Sequence, residues 1–444
     1  MKQKPVFFGL CVYKISARQY DGFDMKDFDF FLKKVSASLQ PATGCTEPVA
    51  IALNCATARK HTPGEIKKAD IFMDPGLLKT AMFVGIPGAS GRGAKLCAAL
   101  GLVLANPEDG MNIFSKMSGE HEKAATALLP LITISLREDI KDLYMETRLV
   151  SDRETTRVIT WKEHDRTALV EHPPYSEFVP GETDDTEWMK EFGIEDIVEF
   201  AAAVPLEKLA FIEEGLETNL KIAEKGLEMG LGRSLKQLSQ KEFWGDSLVS
   251  RVQMLTGAGA FARMSGVSLP VMTVTGSGNN GITLFLTVAG AAEKLGKSRE
   301  KLLRALALAL GINLLAKPYL GTISPICSCG VASGMAASAG IVYLMDGSAA
   351  QMMGAIRSML GSIAGMICDG AKEGCANKIA VSSAAAAFSA MTAVQGFSVS
   401  SRDGILAKDM HELFGNVGYL GKTGMDGVNR AILHIMEAGA DYAQ

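Results

Sequence analysis

The last third of this 444-residue chain is built largely from alanine, glycine, serine and methionine, and four of its eight cysteines fall within 49 residues there. Small residues recur at helical spacing in Val331–Met345, Ala350–Met366 and Ile379–Ala393. That pattern lets helix backbones approach closely, and an aromatic content of only 7% fits such tight packing. A helical domain is therefore predicted over residues 241–444. Inside it, Cys327, Cys329, Cys368 and Cys375 are nearly the only side chains able to bind a soft metal.

The preceding sequence has another texture. Apolar positions Phe28, Phe31, Leu32 and Val35 predict a helix, which Gln40-Pro41 and Thr43-Gly44 interrupt before a second helix from Glu47 to Ala58. Ile66–Met73 reads as a strand. The short alternating runs between Leu131 and Glu171 read as antiparallel strands with one wet face. Further helices are expected over Trp188–Val204, Leu206–Lys225 and Glu242–Met264. The fold class expected is thus α+β in two domains: 24–240 with mixed strands and helices, and 241–444 mainly helical. Residues Met1–Phe23 form an N-terminal extension with no cleavage site of a signal peptide.

Composition narrows the partners. A formal charge of −4 and 21% charged residues leave no basic excess for phosphate backbones, so nucleic acid is not expected. Apolar runs such as Gly281–Ala292 are shorter than the roughly 20 residues that cross a bilayer, so no membrane association is expected. Eight cysteines are too sparse for a disulfide scaffold. A reducing cytoplasm is the expected setting, with a homo-oligomer compatible with this length.

Three segments carry chemistry. In Ser324-Pro325-Ile326-Cys327-Ser328-Cys329-Gly330 a cysteine arrives just before a helix, where free N–H groups favour a thiolate. Cys368 and Cys375 follow in MICDGAKEGC, with Asp369-Gly370 able to turn both toward one centre. Structural zinc prefers tight cysteine pairs and four ligands, whereas three thiolates suit an iron–sulfur cluster with one open iron. Free cysteines buried as small apolar residues remain the plain alternative.

In the second segment, Pro41-Ala42-Thr43-Gly44-Cys45-Thr46-Glu47-Pro48, Thr46 is expected to cap a helix. Cys45 would lie just outside, with its pKa lowered by the helix dipole, as nucleophile or proton acceptor. The third, Thr273–Ile282 with its Ser277-Gly278-Asn279-Asn280-Gly281 core, offers a nest of donors for a carboxylate or phosphate, or is simply a tight loop.

Together, TGCTEP, SGNNGI and MICDGAKEGC resemble the L-cysteine desulfidase family, which is related to the iron–sulfur L-serine dehydratases. The resemblance runs from about Asp24 to the C-terminus. It implies a [4Fe-4S] cluster on three cysteines and conversion of L-cysteine, a small amino-acid substrate, to pyruvate, ammonia and sulfide. By motif, Cys368 and Cys375 look like ligands and Cys45 like the catalytic cysteine. The third ligand is Cys327 or Cys329, and Pro325 favours Cys327 by fixing the backbone before it. Ser277, Asn279 and Asn280 are the candidates for holding the substrate carboxylate. The alternatives are an L-serine dehydratase and a redox sensor whose cluster has no catalytic role.

Overall fold

A computed structural model describes residues 27–140, 142–181 and 186–441. The extension Met1–Phe23 and most of the acidic loop near Gly181 lie outside these residues. The fold is α+β, with 60% helix and 12% strand.

Asp27 opens α1 (Phe28–Ala37) by accepting a hydrogen bond from the Phe30 amide at 2.8 Å. Strand β1 (Leu39–Thr43) then leads directly to Cys45 and α2 (Thr46–Lys60). After β2 (Ile66–Met73) come α3 (Pro75–Ala81), α4 (Ala94–Leu104) and α5 (Gly119–Leu128). Strands β3 (Ile132–Leu136), β4 (Tyr144–Ser151), β5 (Thr155–Trp161) and β6 (Thr167–Glu171) complete a sheet ordered β3-β2-β4-β5-β6.

The sheet departs from the expected antiparallel run in two ways. First, β3 crosses to the far side of β2 and pairs with it in parallel, Ala69 opposite Ile132. Strand β4 is buried along almost its whole length and needs a strand on each side, whereas the wetter β3 suits an edge. Second, neither face of β4 and β5 is wet. Tyr175 and Phe178 cover the face that carries Tyr144, Glu146 and Arg157.

The helical part begins with α6 (Ile194–Ala203), α7 (Ala210–Gly226) and α8 (Gly230–Ser239). The expected helix over Glu242–Met264 starts instead at Leu248, as α9 (Leu248–Met264), because Ser247 caps it by accepting from the Ser250 amide. Strand β7 (Pro270–Val274) pairs antiparallel with β1, from Leu39 opposite Val274 to Thr43 opposite Pro270. This two-stranded ribbon was not evident in the sequence. It ties the segment leading to Cys45 to the segment leading to Ser277.

Next come α10 (Gly278–Lys294), α11 (Arg299–Leu320), α12 (Ser328–Leu344), α13 (Ala349–Ile363), α14 (Cys375–Val394), α15 (Met410–Tyr419) and α16 (Val428–Asp441). Helix α12 is buried nearly all round, and its glycines admit the neighbours. A Cβ at Gly334 would sit 2.5 Å from Ser382 Oγ and 2.7 Å from Met359 Cε. Helix α11, unlike the shorter runs weighed in the sequence, is long and apolar enough to cross a bilayer. It is a core helix here, since 78% of its most apolar window is buried in protein.

Two hydrophobic cores result. One gathers α1, α6, α7 and the helices from α9 to α15, and Phe31 stacks on Phe192 in it with ring centroids 4.5 Å apart. The other lies between the sheet and α2 to α4 and includes Cys45. Ala371 belongs to this second core, and Cys375 packs against it. The cysteine-bearing loop of the helical part is thereby seated on the N-terminal core.

Candidate active site

Cys327 and Cys368 are brought side by side by a short backbone bridge between Ile326 and Ile367. The Cys327 amide donates to Met366 O and the Cys368 amide to Pro325 O, both at 2.7 Å. Pro325 fixes the approach and Ser324 Oγ accepts from the Ile326 amide, so this pairing is locally determined. Cys327 is the N-cap of α12. Cys375 is the first residue of α14, and its thiol donates to Gly370 O at 3.4 Å.

The loop between Cys368 and Cys375 is pinned at several points. Asp369 pairs with Lys372 at 2.6 Å and with Lys378, which also donates to Ile367 O at 2.9 Å. The Ala371 amide donates to Thr80 O, and Glu373 meets Arg92 at 3.4 Å. Gly370 has φ +93°, and a Cβ there would lie 2.7 Å from Lys79 O, so only glycine fits this turn.

Cys329, two residues into α12, turns elsewhere: its sulfur lies 3.4 Å from Ser277 Oγ. Ser277 caps α10 and accepts from the Asn280 amide at 3.5 Å. Asn279 and Asn280 are buried, 6% and 1% exposed. Their amide nitrogens point to Met264 Sδ and to Val274 O and Thr275 Oγ1, and each leaves its Oδ1 without a partner. Buried amide oxygens accept N–H groups, so these two side chains suit a substrate ammonium better than the carboxylate expected from the sequence.

Cys45 itself, not Thr46, is the N-cap of α2. Its thiol donates to Glu47 Oε2 at 3.1 Å, and Thr46 Oγ1 reaches the same oxygen at 3.1 Å. The expected lowering of the Cys45 pKa is reversed: burial, followed by the facing Glu47 carboxylate, pushes it well above the usual thiol value. Helix dipole and Arg263 do not offset this. Burial acts against the Glu47 carboxylate too, but His164, the Cys45 hydrogen bond, its own backbone amide and Arg263 keep its pKa below the ordinary value. The proton therefore rests on sulfur.

Arg263, 4% exposed, joins the two halves of the site. Its Nε and Nη2 donate to Gly44 O at 3.1 and 2.8 Å, and a Cβ at Gly278 would sit 2.6 Å from its Cζ. The ends of α2, α10, α12 and α14 thus bear on one region: Cys375 lies near enough to Cys45, and Cys368 and Cys375 near enough to Cys329, for an ionised neighbour to raise the thiol pKa, while Ser277 touches Cys329. Four helix N-termini make that region favourable to anions.

The donor set fits an iron–sulfur cluster. The thiols near one another are free, and burial raises those of Cys327 and Cys375 and pushes Cys329 up to about 12. Buried thiols that raise one another's pKa give up their protons to a soft cation. Among the described residues no three His, Cys, Asp or Glu side chains close on a single ion.

Glu47, His164, Arg263 and Lys317 were given no role from the sequence. Glu47 stood inside TGCTEP, two residues after the cysteine, which was the available signal. His164, 7% exposed, sits in the β5–β6 hairpin with Nε2 unpartnered. Burial lowers its pKa while Glu47 opposes this. Lys317, near the end of α11, is pulled down to about 8 by burial, against Cys329 and Glu47.

A profile of the serine dehydratase alpha chain family matches residues 108–434, a span that begins after β2 and includes Cys327, Cys329, Cys368 and Cys375. The chain belongs to the serine dehydratase alpha chain family. That family consists of lyase-type enzymes associated with iron–sulfur clusters. The chain is also similar to a UPF0597 protein of Caldanaerobacter subterraneus subsp. tengcongensis, 36% identical over 93% of this chain and 99% of that one. UPF0597 proteins of Clostridium tetani (34% identical, 89% and 95% covered) and Alkaliphilus oremlandii (35%, 92% and 98%) are similar over nearly the same span. The portion before residue 108, which carries Cys45, lies outside the profile match.

Proposed function

We propose that this chain is an L-cysteine desulfidase that eliminates sulfide from L-cysteine, with pyruvate and ammonia as the other products. The observation that carries the reading is the seating of the Cys375 loop on the core that holds Cys45. It supports a base from one half of the chain acting on a substrate held at the other.

Cys327, Cys368 and Cys375 are the residues that would hold a [4Fe-4S] cluster. The bridge between Ile326 and Ile367 supports Cys327 as the third ligand over Cys329, which faces Ser277. When bound, such a cluster supplies a Lewis acid for the departing sulfur. The remaining work falls to side chains. Cys45 passes its proton to Glu47 and, as thiolate, takes the Cα proton of the substrate. The Cα electrons form the Cα–Cβ double bond as the Cβ–S bond breaks. Glu47 then returns its proton to the leaving hydrosulfide, so that Cys45 ends protonated and Glu47 ionised, as at the start. The released aminoacrylate tautomerises and hydrolyses to pyruvate and ammonia without further protein groups.

The free oxygens of Asn279 and Asn280 suit the substrate ammonium. Membership in the serine dehydratase alpha chain family favours a second reading, in which L-serine loses its hydroxyl by the same chemistry. Anaerobically reconstituted protein separates the two. Sulfide and pyruvate released in equal amounts from L-cysteine, well above pyruvate from L-serine, support the desulfidase; the reverse order supports the dehydratase.

A further inference from the structure

A cavity of about 670 Å³ opens beside the site. Thr273, Thr275 and Gly276 form part of its wall, one residue short of Ser277. His164 faces it from the β5–β6 hairpin and Lys317 from α11. The other lysines that line it are engaged. Lys34 lies over the Phe30 and Trp188 rings, 5.2 and 5.5 Å from their centroids. Lys422 donates to Pro318 O at 3.1 Å, and Lys162 lies 5.9 Å from the centroid of the Trp161 ring. Among the described residues the Lys317 ammonium makes no hydrogen bond or ion pair, although its charge reaches Glu47 and Cys329. His164 likewise keeps Nε2 unpartnered while nearly enclosed.

An ammonium in a partly dry wall loses hydration, and an anion restores the balance. We propose that Lys317 binds the α-carboxylate of the amino-acid substrate, with His164 Nε2 as a second, weaker donor. The assignment rests on the reading above that the ligand is a small α-amino acid. Lys317 is opposite in charge to a carboxylate, lines the cavity and lies near enough to Glu47 for their charges to interact, so a zwitterion entering there is drawn in carboxylate first. Arginine at this position would retain the charge, and methionine would retain the length alone.

Two thiol probes test this, because 3-mercaptopropionate has the carboxylate without the ammonium and cysteamine the reverse. Binding is followed by the change in tryptophan fluorescence, Trp188 being the one of the three tryptophans that lines the cavity, on metal-free and on anaerobically reconstituted full-length protein. Lys317→Met should weaken 3-mercaptopropionate by about 10- to 100-fold, the loss expected of one charge-assisted hydrogen bond. Cysteamine should stay within about twofold, Lys317→Arg should regain most of the loss, and His164→Gln should lose less than Lys317→Met. With L-cysteine as substrate, KM should rise by a similar factor while kcat changes little. Equal affinity of Lys317→Met and the unaltered protein for 3-mercaptopropionate overturns the assignment, as does failure of the unaltered protein to bind it. Lys317-dependent carboxylate binding without turnover of either amino acid would sink the elimination reading and leave this site standing.

Discussion

The Cys45 thiol donates to the Glu47 carboxylate across 3.1 Å, with both residues in the first turn and cap of one helix. A thiol in this contact keeps its proton, so the proposed elimination needs Glu47 to take that proton before Cys45 can act as a base. Glu47→Gln keeps the size and removes the acceptor charge. It should lower kcat by about 10²-fold with the cysteine sulfurs untouched, measured as pyruvate release from reconstituted protein at matched iron content.

Cys327 and Cys368 share a backbone bridge, and Cys375 packs behind a loop pinned by Asp369. Replacing any of the three by serine should abolish stable iron binding. Cys329→Ser should retain at least most of it, since that sulfur faces Ser277. Iron and acid-labile sulfide counts, with the anaerobic absorption spectrum, check this directly. A Cys329→Ser protein devoid of iron beside an iron-replete Cys327→Ser protein would exchange their roles.

Gly281 sits where α10 presses on β7. A Cβ there would lie 1.9 Å from Met272 O, a backbone atom that also accepts from Asn219 Nδ2 at 3.2 Å. Gly281→Ala should therefore destabilise the metal-free protein by about 3 kcal/mol or more, since the strand must move. Urea unfolding measures it.

Glu146 is wholly buried in β4, with Arg148 Nε at 2.5 Å, Arg157 Nε at 3.1 Å and Arg137 Nη1 at 3.6 Å. Burial opposes its ionisation, but Tyr144, Arg148 and Arg157 hold its pKa below the ordinary carboxylate value. A depressed folded-state pKa adds stability above the unfolded value near 4.5, and that part is lost as pH falls through the folded one. Glu146→Gln should cost about 1–3 kcal/mol near pH 7, since Arg157 keeps Glu171 but loses its wholly buried acceptor. It should also flatten the acid limb of stability below pH 4.5, which thermal melts across pH 3–7 report.

Much of this architecture was legible in local pattern. The helices of the last third follow from small residues at helical spacing, and Pro325 and Gly370 mark the turns that carry Cys327 and Cys368. What escaped was set by distant partners. No local signal pairs β1 with β7, or sends β3 past β4 to the far side of β2. The Cys45 pKa was read from the helix dipole alone, whereas burial and the Glu47 charge decide its direction. His164, Arg263 and Lys317 are single polar residues whose meaning comes from what folds against them. Arg263 reaches Gly44, 219 positions away in the chain.

The central claim is that a thiol from the N-terminal core deprotonates a substrate held at cysteines of the helical part. The most direct measurement is anaerobic sulfide and pyruvate release from L-cysteine by Cys45→Ser protein whose iron and sulfide content equals that of the unaltered protein. The account predicts loss of turnover by about 10²- to 10⁴-fold with the cluster spectrum unchanged. Undiminished sulfide and pyruvate release from that variant would contradict it.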